Sequence, residues 1–328
     1  MRKDLFSHRF VGMAVLALLA VLFLAVQVQA AEFKPSKPIT MIAPAAPGGG
    51  SDVLARTIAQ IVGNEKLAPQ PMIVQNLPGG GQAIGLTQLG LARGNTHMLA
   101  VANPASVTGL LSAGKGAPNI KEMSMIAQLA LDEQLIIVRS DSRFKTIQDV
   151  IAESKKKENS VSISGSDQAD RACSRMFEKL AGIKMRYTPF NSGGEQMTAL
   201  LGGHVDLQWA NPPEFIGQYE AKGVRPLVLA QENRISQFKD VPTFREIGVN
   251  LVFKFFRGVI APPGISPEAV AYYEAMLEKM VETKAWKEGY LAKNMLSPAW
   301  QNSKTFTKTI SDSDALLAET LKELGLIK

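Results

Sequence analysis

One local pattern recurs along this chain and limits the folds open to it. A short apolar run leads into a loop of glycine, asparagine, serine or proline, and the loop opens a stretch with helical spacing of its apolar residues. Ile39–Ala43 reads as a buried strand, and residues 44–50, rich in proline and glycine, cannot be helical. Ser51 and Asp52 then suit the cap of a helix over 53–64, with Leu54, Ile58 and Ile61 on one face. Residues 72–74 and 98–102 repeat the strand, ending at the loops 76–81 and Asn103-Pro104. The same grammar returns with strands over 135–138, 161–164, 185–189, 205–210 and 227–229. Helices are expected over 147–157, through Ala172, Met176, Phe177 and Leu180, and through Met197, Leu200 and Leu201, with a helical tail over 267–286 and 303–324. Alternating strand, loop and helix predicts mainly parallel sheets covered by helices.

Two sets of such units, with no low-complexity linker between them, predict two α/β lobes. Residues 33–134 with 257–328 form the first lobe and 135–256 the second. Short strands near Leu135 and near Gly258 are expected to cross between lobes, making a two-strand hinge suited to closure. The N-terminus is a separate matter. Arg2, Lys3 and Arg9 flank an apolar stretch that ends at Val28-Gln29-Ala30, the pattern of a secretory signal. Residues 1–30 are read as that signal, cleaved after Ala30. Without them the chain carries 33 basic and 29 acidic residues, net +4, with the charges mixed and only Lys155-Lys156-Lys157 dense. No basic stripe or motif points to nucleic acid.

Ligands of open parallel sheets sit beyond the carboxyl ends of the strands. The loops there carry the candidate site residues: Ala46, Pro47, Gly48, Gly49, Ser51, Asp52 and Asn103 in one lobe, and Ser164, Gly165, Ser166, Asp167, Gln168, Ser192, Gly193, Gly194 and Asn211 in the other. Glycines let a ligand approach the backbone, and helix N-termini offer unpaired N–H donors to anionic oxygens. Each loop taken singly also fits an ordinary tight turn. Phe190, Trp209 and Phe215 lie near loop ends, where they either flank a ligand ring or fill the core.

Sharper motifs fail. The run from Gly109 to Lys115 approaches a P-loop, but Gly116 stands where a hydroxyl must follow, and Pro118 interrupts the helix. Neither triple glycine completes G-x-G-x-x-G, and neither a G-x-S-x-G elbow nor H-E-x-x-H occurs. One cysteine, Cys173, and three histidines leave little for metal or thiol chemistry. Cys173 reads as a core residue on the apolar side of its helix. No enzyme, metal or cofactor is expected.

The blocks Pro35-Ser36-Lys37-Pro38-Ile39-Thr40 and Pro47-Gly48-Gly49-Gly50-Ser51-Asp52-Val53-Leu54-Ala55-Arg56 resemble the start of the mature Bug (TctC-type) proteins, periplasmic solute-binding components of tripartite tricarboxylate transporters. Asn76-Leu77-Pro78-Gly79-Gly80-Gly81, Asn103-Pro104, the block from Ala199 to Leu207, Asp240-Val241-Pro242-Thr243-Phe244 and Ala261-Pro262-Pro263-Gly264 extend the resemblance over nearly the whole mature chain. It implies a type II-like, Venus-flytrap binding protein that closes on a small carboxylate in the periplasm and serves inner-membrane permease subunits, with a monomer expected. The family's ligand meets backbone groups of the loop matching 46–52, partly through water, and loops matching 164–168 and 191–194 from the other lobe. Two positions depart. Ala45 stands where an aromatic residue is common, and Asp167 where many members are uncharged. A carboxylate there repels a bound carboxylate. Asp167 therefore either caps its helix, pointing away and balanced by Arg171, or grips a cationic group of an amino acid or amide-bearing ligand. A sensor on the same fold and, more remotely, an α/β enzyme are the competing functions.

Overall fold

The computed structural model describes residues 33–190 and 192–327. The expected signal segment and Asn191 lie outside the described residues. The strands are β1 (Ile39–Ala43), β2 (Met72–Asn76), β3 (Met98–Ala102), β4 (Ser124–Asp132), β5 (Leu135–Arg139), β6 (Ser162–Gly165), β7 (Arg186–Pro189), β8 (Leu207–Ala210), β9 (Val224–Leu229), β10 (Phe255–Ala261) and β11 (Ser297–Gln301). The helices are α1 (Gly50–Asn64), α2 (Ala83–Leu91), α3 (Pro104–Ala113), α4 (Ile147–Lys156), α5 (Gln168–Ala181), α6 (Gly193–Leu201), α7 (Pro212–Glu220), α8 (Pro267–Glu282) and α9 (Ser303–Glu323).

The strands form two sheets. One has the order β11-β4-β10-β3-β1-β2, the other β7-β6-β8-β5-β9. In the first, β1 lies parallel between β2 and β3; in the second, β6 lies parallel between β7 and β8. Each sheet thus contains a parallel strand flanked by the two strands that follow it in the chain, wound through intervening helices. Antiparallel strands complete each sheet: β10, β4 and β11 in one, β5 and β9 in the other. The two α/β lobes expected from the sequence are the observed fold.

The chain passes from β4 to β5 through Glu133 and Gln134, and returns between β9 and β10. The first passage is buried, and the return comes in on the buried Leu251 and Phe253. One apolar cluster joins Leu86, Ala100 and Ala102 of the first sheet's layer to Phe253, Phe255 and Phe256, and then to Phe177, Trp209 and Phe244. A second cluster, with Leu135, Leu200, Phe215 and Phe238, fills the far face of the second sheet. Trp209 and Phe215 are core residues, and the Trp209 indole donates to Ser174 Oγ at 2.7 Å. Cys173 is fully buried, as expected, and Gly109 sits inside α3 rather than in a phosphate loop.

Helix α1 starts earlier than the sequence suggests. Gly49 occupies the cap position with extended backbone, and Ser51 and Asp52 fall inside the first turn. Asp52 still serves the helix start: it accepts the Gly48 N–H at 2.8 Å, reaching back over the turn that Gly48 makes at φ +84°. Two helices, α3 and α7, and two strands, β4 and β11, complete the lobes beyond the elements expected from the sequence.

Candidate functional site

Loops after parallel strands from both sheets meet at a cavity of about 270 Å³. Gly81, Ala105 and Thr108 wall it from the first lobe. Gly165, Ser166, Asp167, Gln168, Arg171, Tyr187, Pro189 and Phe190 wall it from the second. A neighbouring hollow of about 620 Å³ shares Gly81 and Gln168 and extends along α2 and α3. The cavity sits at the carboxyl ends of β6 and β7 and the N-terminus of α5, where strand and helix geometry collect unpaired donors.

On the second-lobe side the packing is tight enough to fix residue types. A Cβ at Gly165 would overlap the Tyr187 hydroxyl and Asp170 Cβ, so only glycine fits beneath that ring. Likewise a Cβ at Gly109 would overlap the Gly81 carbonyl oxygen, which lets α3 press against the glycine turn that lines the opposite wall. Tyr187 donates its hydroxyl to the Asp167 carbonyl at 3.4 Å. The Arg171 guanidinium stands 5.9 Å from the Tyr187 ring centroid. Arg171 makes no salt bridge among the described residues and is the sole cation on the cavity wall.

Asp167 does two things at once. It caps α5, accepting the Asp170 N–H at 2.9 Å, and its residue lines the cavity. The cap, one of the two alternatives from the sequence, is present, and it stands at the cavity wall. Burial pushes the Asp167 carboxyl up, against the backbone N–H groups of Asp170 and Ala169 that hold it down. Asp170 behind it is almost wholly buried and accepts the Ser166 N–H and Gln134 Nε2, both at 2.7 Å. Burial, reinforced by Asp167 and then Glu214, pushes that carboxyl well up. The Tyr187 hydroxyl is pushed up by burial and by the same two aspartates.

Five candidate residues read from the sequence line this cavity: Gly165, Ser166, Asp167, Gln168 and Phe190. The rest stand elsewhere. Ala46, Pro47 and Gly48 are at an exposed loop tip, and Gly49 packs beneath it against the Ala46 carbonyl. Ser51, Asp52 and Asn103 are buried and bound to protein. Asp52 accepts from Gly48 N–H, Arg56 Nε at 3.0 Å and Asn76 Nδ2 at 2.7 Å, and these hold its carboxyl below the ordinary range despite burial. Asn103 caps α3, accepting the Ser106 N–H at 3.2 Å, and donates Nδ2 to Ser51 Oγ at 3.3 Å. Those residues knit the loops of the first lobe to one another.

In the second lobe, Ser164 donates to Gln196 Oε1 and the Leu207 carbonyl beneath α6, and Ser192 caps α6 by accepting the Glu195 N–H. Gly193 packs on the Glu214 carboxyl, Gly194 is exposed, and Asn211 donates Nδ2 to the Glu133 carbonyl at 2.9 Å, tying α7 to the crossover. Gly81, Ala105, Thr108, Arg171, Tyr187 and Pro189 are the cavity residues that sequence reasoning missed. Two signals pointed at some of them. Arg171 lies one helical turn after Asp167, on the same side of α5. Asn103 followed by Pro104 is a helix start that carries Ala105 and Thr108 to the wall. Tyr187 gave none.

Known proteins share the fold. The sequence pattern of the "tripartite tricarboxylate transporter family receptor" matches residues 54–326. The UPF0065 protein in the gbd 5'region of Cupriavidus necator is 28% identical over 96% of this chain and 95% of its own. Among solved structures, a TctC solute-binding protein from Polaromonas, without ligand, superposes with a TM-score of 0.75 at 24% identity, covering 89% of this chain and all of the other. MatC from Rhodopseudomonas palustris, with bound malate, superposes with a TM-score of 0.74 at 20% identity, covering 88% and 99%. With a family match over most of its length and both lobes of the same fold, this chain belongs to the tripartite tricarboxylate transporter family receptors.

Proposed function

We propose that the protein captures a small organic acid in the cavity between its lobes and presents it, in the periplasm, to the permease subunits of a tripartite transporter. The observation that carries this reading is the cavity itself, with both lobes contributing walls and one unpaired cation, Arg171, among them. A buried or half-buried guanidinium without an acidic partner is a natural counter-charge for a carboxylate, to which it offers a planar fork of donors. The lobes are 33–134 with 257–328, and 135–256; they close about Glu133-Gln134 and the segment before β10. Ligand contacts from both sides stabilise the closed form, and the permease recognises that form. Residues 1–30 direct export. Ala46, Pro47 and Gly48 form an exposed tip of the first lobe, with Gly49 beneath it, a further candidate contact when the lobes close. The malate held by MatC supports the carboxylate class.

Native mass spectrometry of freshly purified protein identifies any acid it retains, and calorimetry then measures affinity for that acid. Arg171→Ala is expected to weaken binding roughly 10- to 150-fold, the worth of one charge-assisted hydrogen bond. Unchanged affinity removes Arg171, and with it this cavity, from the ligand site.

A further inference from the structure

Formal charge on the cavity wall is balanced rather than positive. Arg171 contributes one positive charge and Asp167 one negative. Buried Asp170 lies directly behind Asp167, its oxygens turned to Ser166 and Gln134. A simple dicarboxylate would bring two negative charges to a wall with one cation and an adjoining pair of aspartates. In a partly desolvated cleft, like charges at such range repel strongly.

Acceptor positions without a protein donor, moreover, stand at and beside Asp167. The cap uses part of the Asp167 carboxylate, but a carboxylate offers about four lone-pair positions. The next residue, Gln168, has its side-chain oxygen buried with no hydrogen-bond partner among the described residues, and it lines both the cavity and the adjoining hollow. A buried acceptor left without a donor is a standing cost that a ligand N–H group relieves. Asp167 and Arg171 are four residues apart, about 6 Å along the helix axis. A ligand whose opposite charges lie a few ångströms apart fits against both.

Resting on the proposal that this cavity holds the ligand, we infer that the ligand is a zwitterionic amino acid. Its carboxylate is bound at Arg171, and its ammonium group is held by Asp167 with Gln168 beside it. Asp167 then sets the choice between amino acids and their deaminated counterparts, while Arg171 reads the carboxylate common to both.

Two pools test this on the mature full-length protein: the common amino acids, and the same carbon skeletons without the amino group. Thermal shift screens the pools, and calorimetry follows on single compounds. At least one amino acid is expected to bind at least tenfold more tightly than its deaminated counterpart. Asp167→Asn keeps a side-chain oxygen for the helix cap, so the fold survives. This variant is expected to lose tenfold or more for the amino acid and to lose its preference over the deaminated acid. Asp167→Ser, another capping residue, is expected to behave alike. Equal or better binding of deaminated acids, or no amino acid bound at all, overturns the assignment. If deaminated acids bind and Arg171→Ala abolishes their binding, the acid-binding cavity stands and only the amino-acid assignment falls. If acids bind but neither Arg171→Ala nor Asp167→Asn alters their affinity, the cavity itself is the wrong site.

Discussion

Replacing Arg257 by methionine is expected to destabilise the protein sharply at neutral pH and much less in acid. Arg257 begins its path in β10 just where that strand returns from the second lobe, and Asp132 ends β4 just where it departs. Their side chains form an ion pair, with Asp132 fully buried and Arg257 nearly so. The Arg257 guanidinium also packs at Gly50, where an added Cβ would lie 2.9 Å from Nη1. Burial raises the Asp132 carboxyl and the neighbouring Arg257 pulls it back down. Removing the arginine leaves a buried carboxylate with no counter-charge, a change that costs about 3–5 kcal/mol. With an unfolding entropy of about 2.1 cal/mol/K per residue over roughly 290 residues, that corresponds to a Tm lower by roughly 5–8 °C.

The pH dependence has a definite sign. In the variant the folded-state pKa of Asp132 lies still further above its unfolded value. Its favourable contribution is complete at low pH and is lost as the pH rises through the folded pKa. Melting followed by circular dichroism at pH 5 and pH 8 therefore separates this effect from lost packing. The double variant Asp132→Leu with Arg257→Met removes both charges and is expected to recover most of the loss, since apolar replacements of buried pairs are often neutral. A Tm lowered by under 2 °C, or by the same amount at both pH values, refutes the reasoning.

Three further outcomes are expected. Glu133, in the crossover itself, is pushed up to about 7, chiefly by burial and further by Asp132, against hydrogen bonds from Ser297 and Gln231. Its contribution is whole below about pH 4.5 and lost as the pH rises through 7, so Glu133→Gln is expected to flatten a decline of about 3 kcal/mol between those limits in denaturant titrations. Gly165→Ala forces Tyr187 and Asp170 apart and is expected to cost about 1–3 kcal/mol and to weaken ligand binding by reshaping the cavity wall; unchanged affinity with lowered stability would leave Tyr187 a packing residue only. Cys173, fully buried and with its thiol pushed well up by burial, is expected to resist a thiol-reactive disulfide reagent in the native protein and to react only on unfolding.

The strand–loop–helix grammar was legible because each parallel unit is local. The apolar run, the glycine or asparagine, and the helix face all lie within some thirty residues, as in β1-α1-β2. Strand β4 was not, although it pairs with two strands, β10 and β11. Its run Met125-Ile126-Ala127-Gln128-Leu129-Ala130 is buried on both faces, so it lacks the alternation that separates strand from helix. Helix α3 carries a start signal in Asn103-Pro104, but that pair also ends β3, and the strand boundary masked it.

The site was legible by half. In the second lobe the end of β6 and the cap of α5 converge on the cavity, where Gly165, Ser166, Asp167 and Gln168 line it, whereas Ser164, Ser192, Gly193, Gly194 and Asn211 do not. In the first lobe Ser51, Asp52 and Asn103 have the composition of ligand-binding residues yet bond to Gly48, Arg56, Asn76 and Ser106. Polarity in a loop marks a need for hydrogen bonds; whether protein or ligand meets it depends on contacts across twenty to fifty residues. Tyr187 shows the converse: its position under Arg171 comes from the pairing of β7 with β6, invisible along the chain.

Domain closure on a bound acid is tested most directly by small-angle X-ray scattering. The protein is measured stripped of ligand and then saturated with the acid identified by native mass spectrometry. A smaller radius of gyration and maximum dimension on saturation is the result expected of two lobes closing around a shared cavity. Identical scattering curves at concentrations where calorimetry shows the site to be full would contradict it.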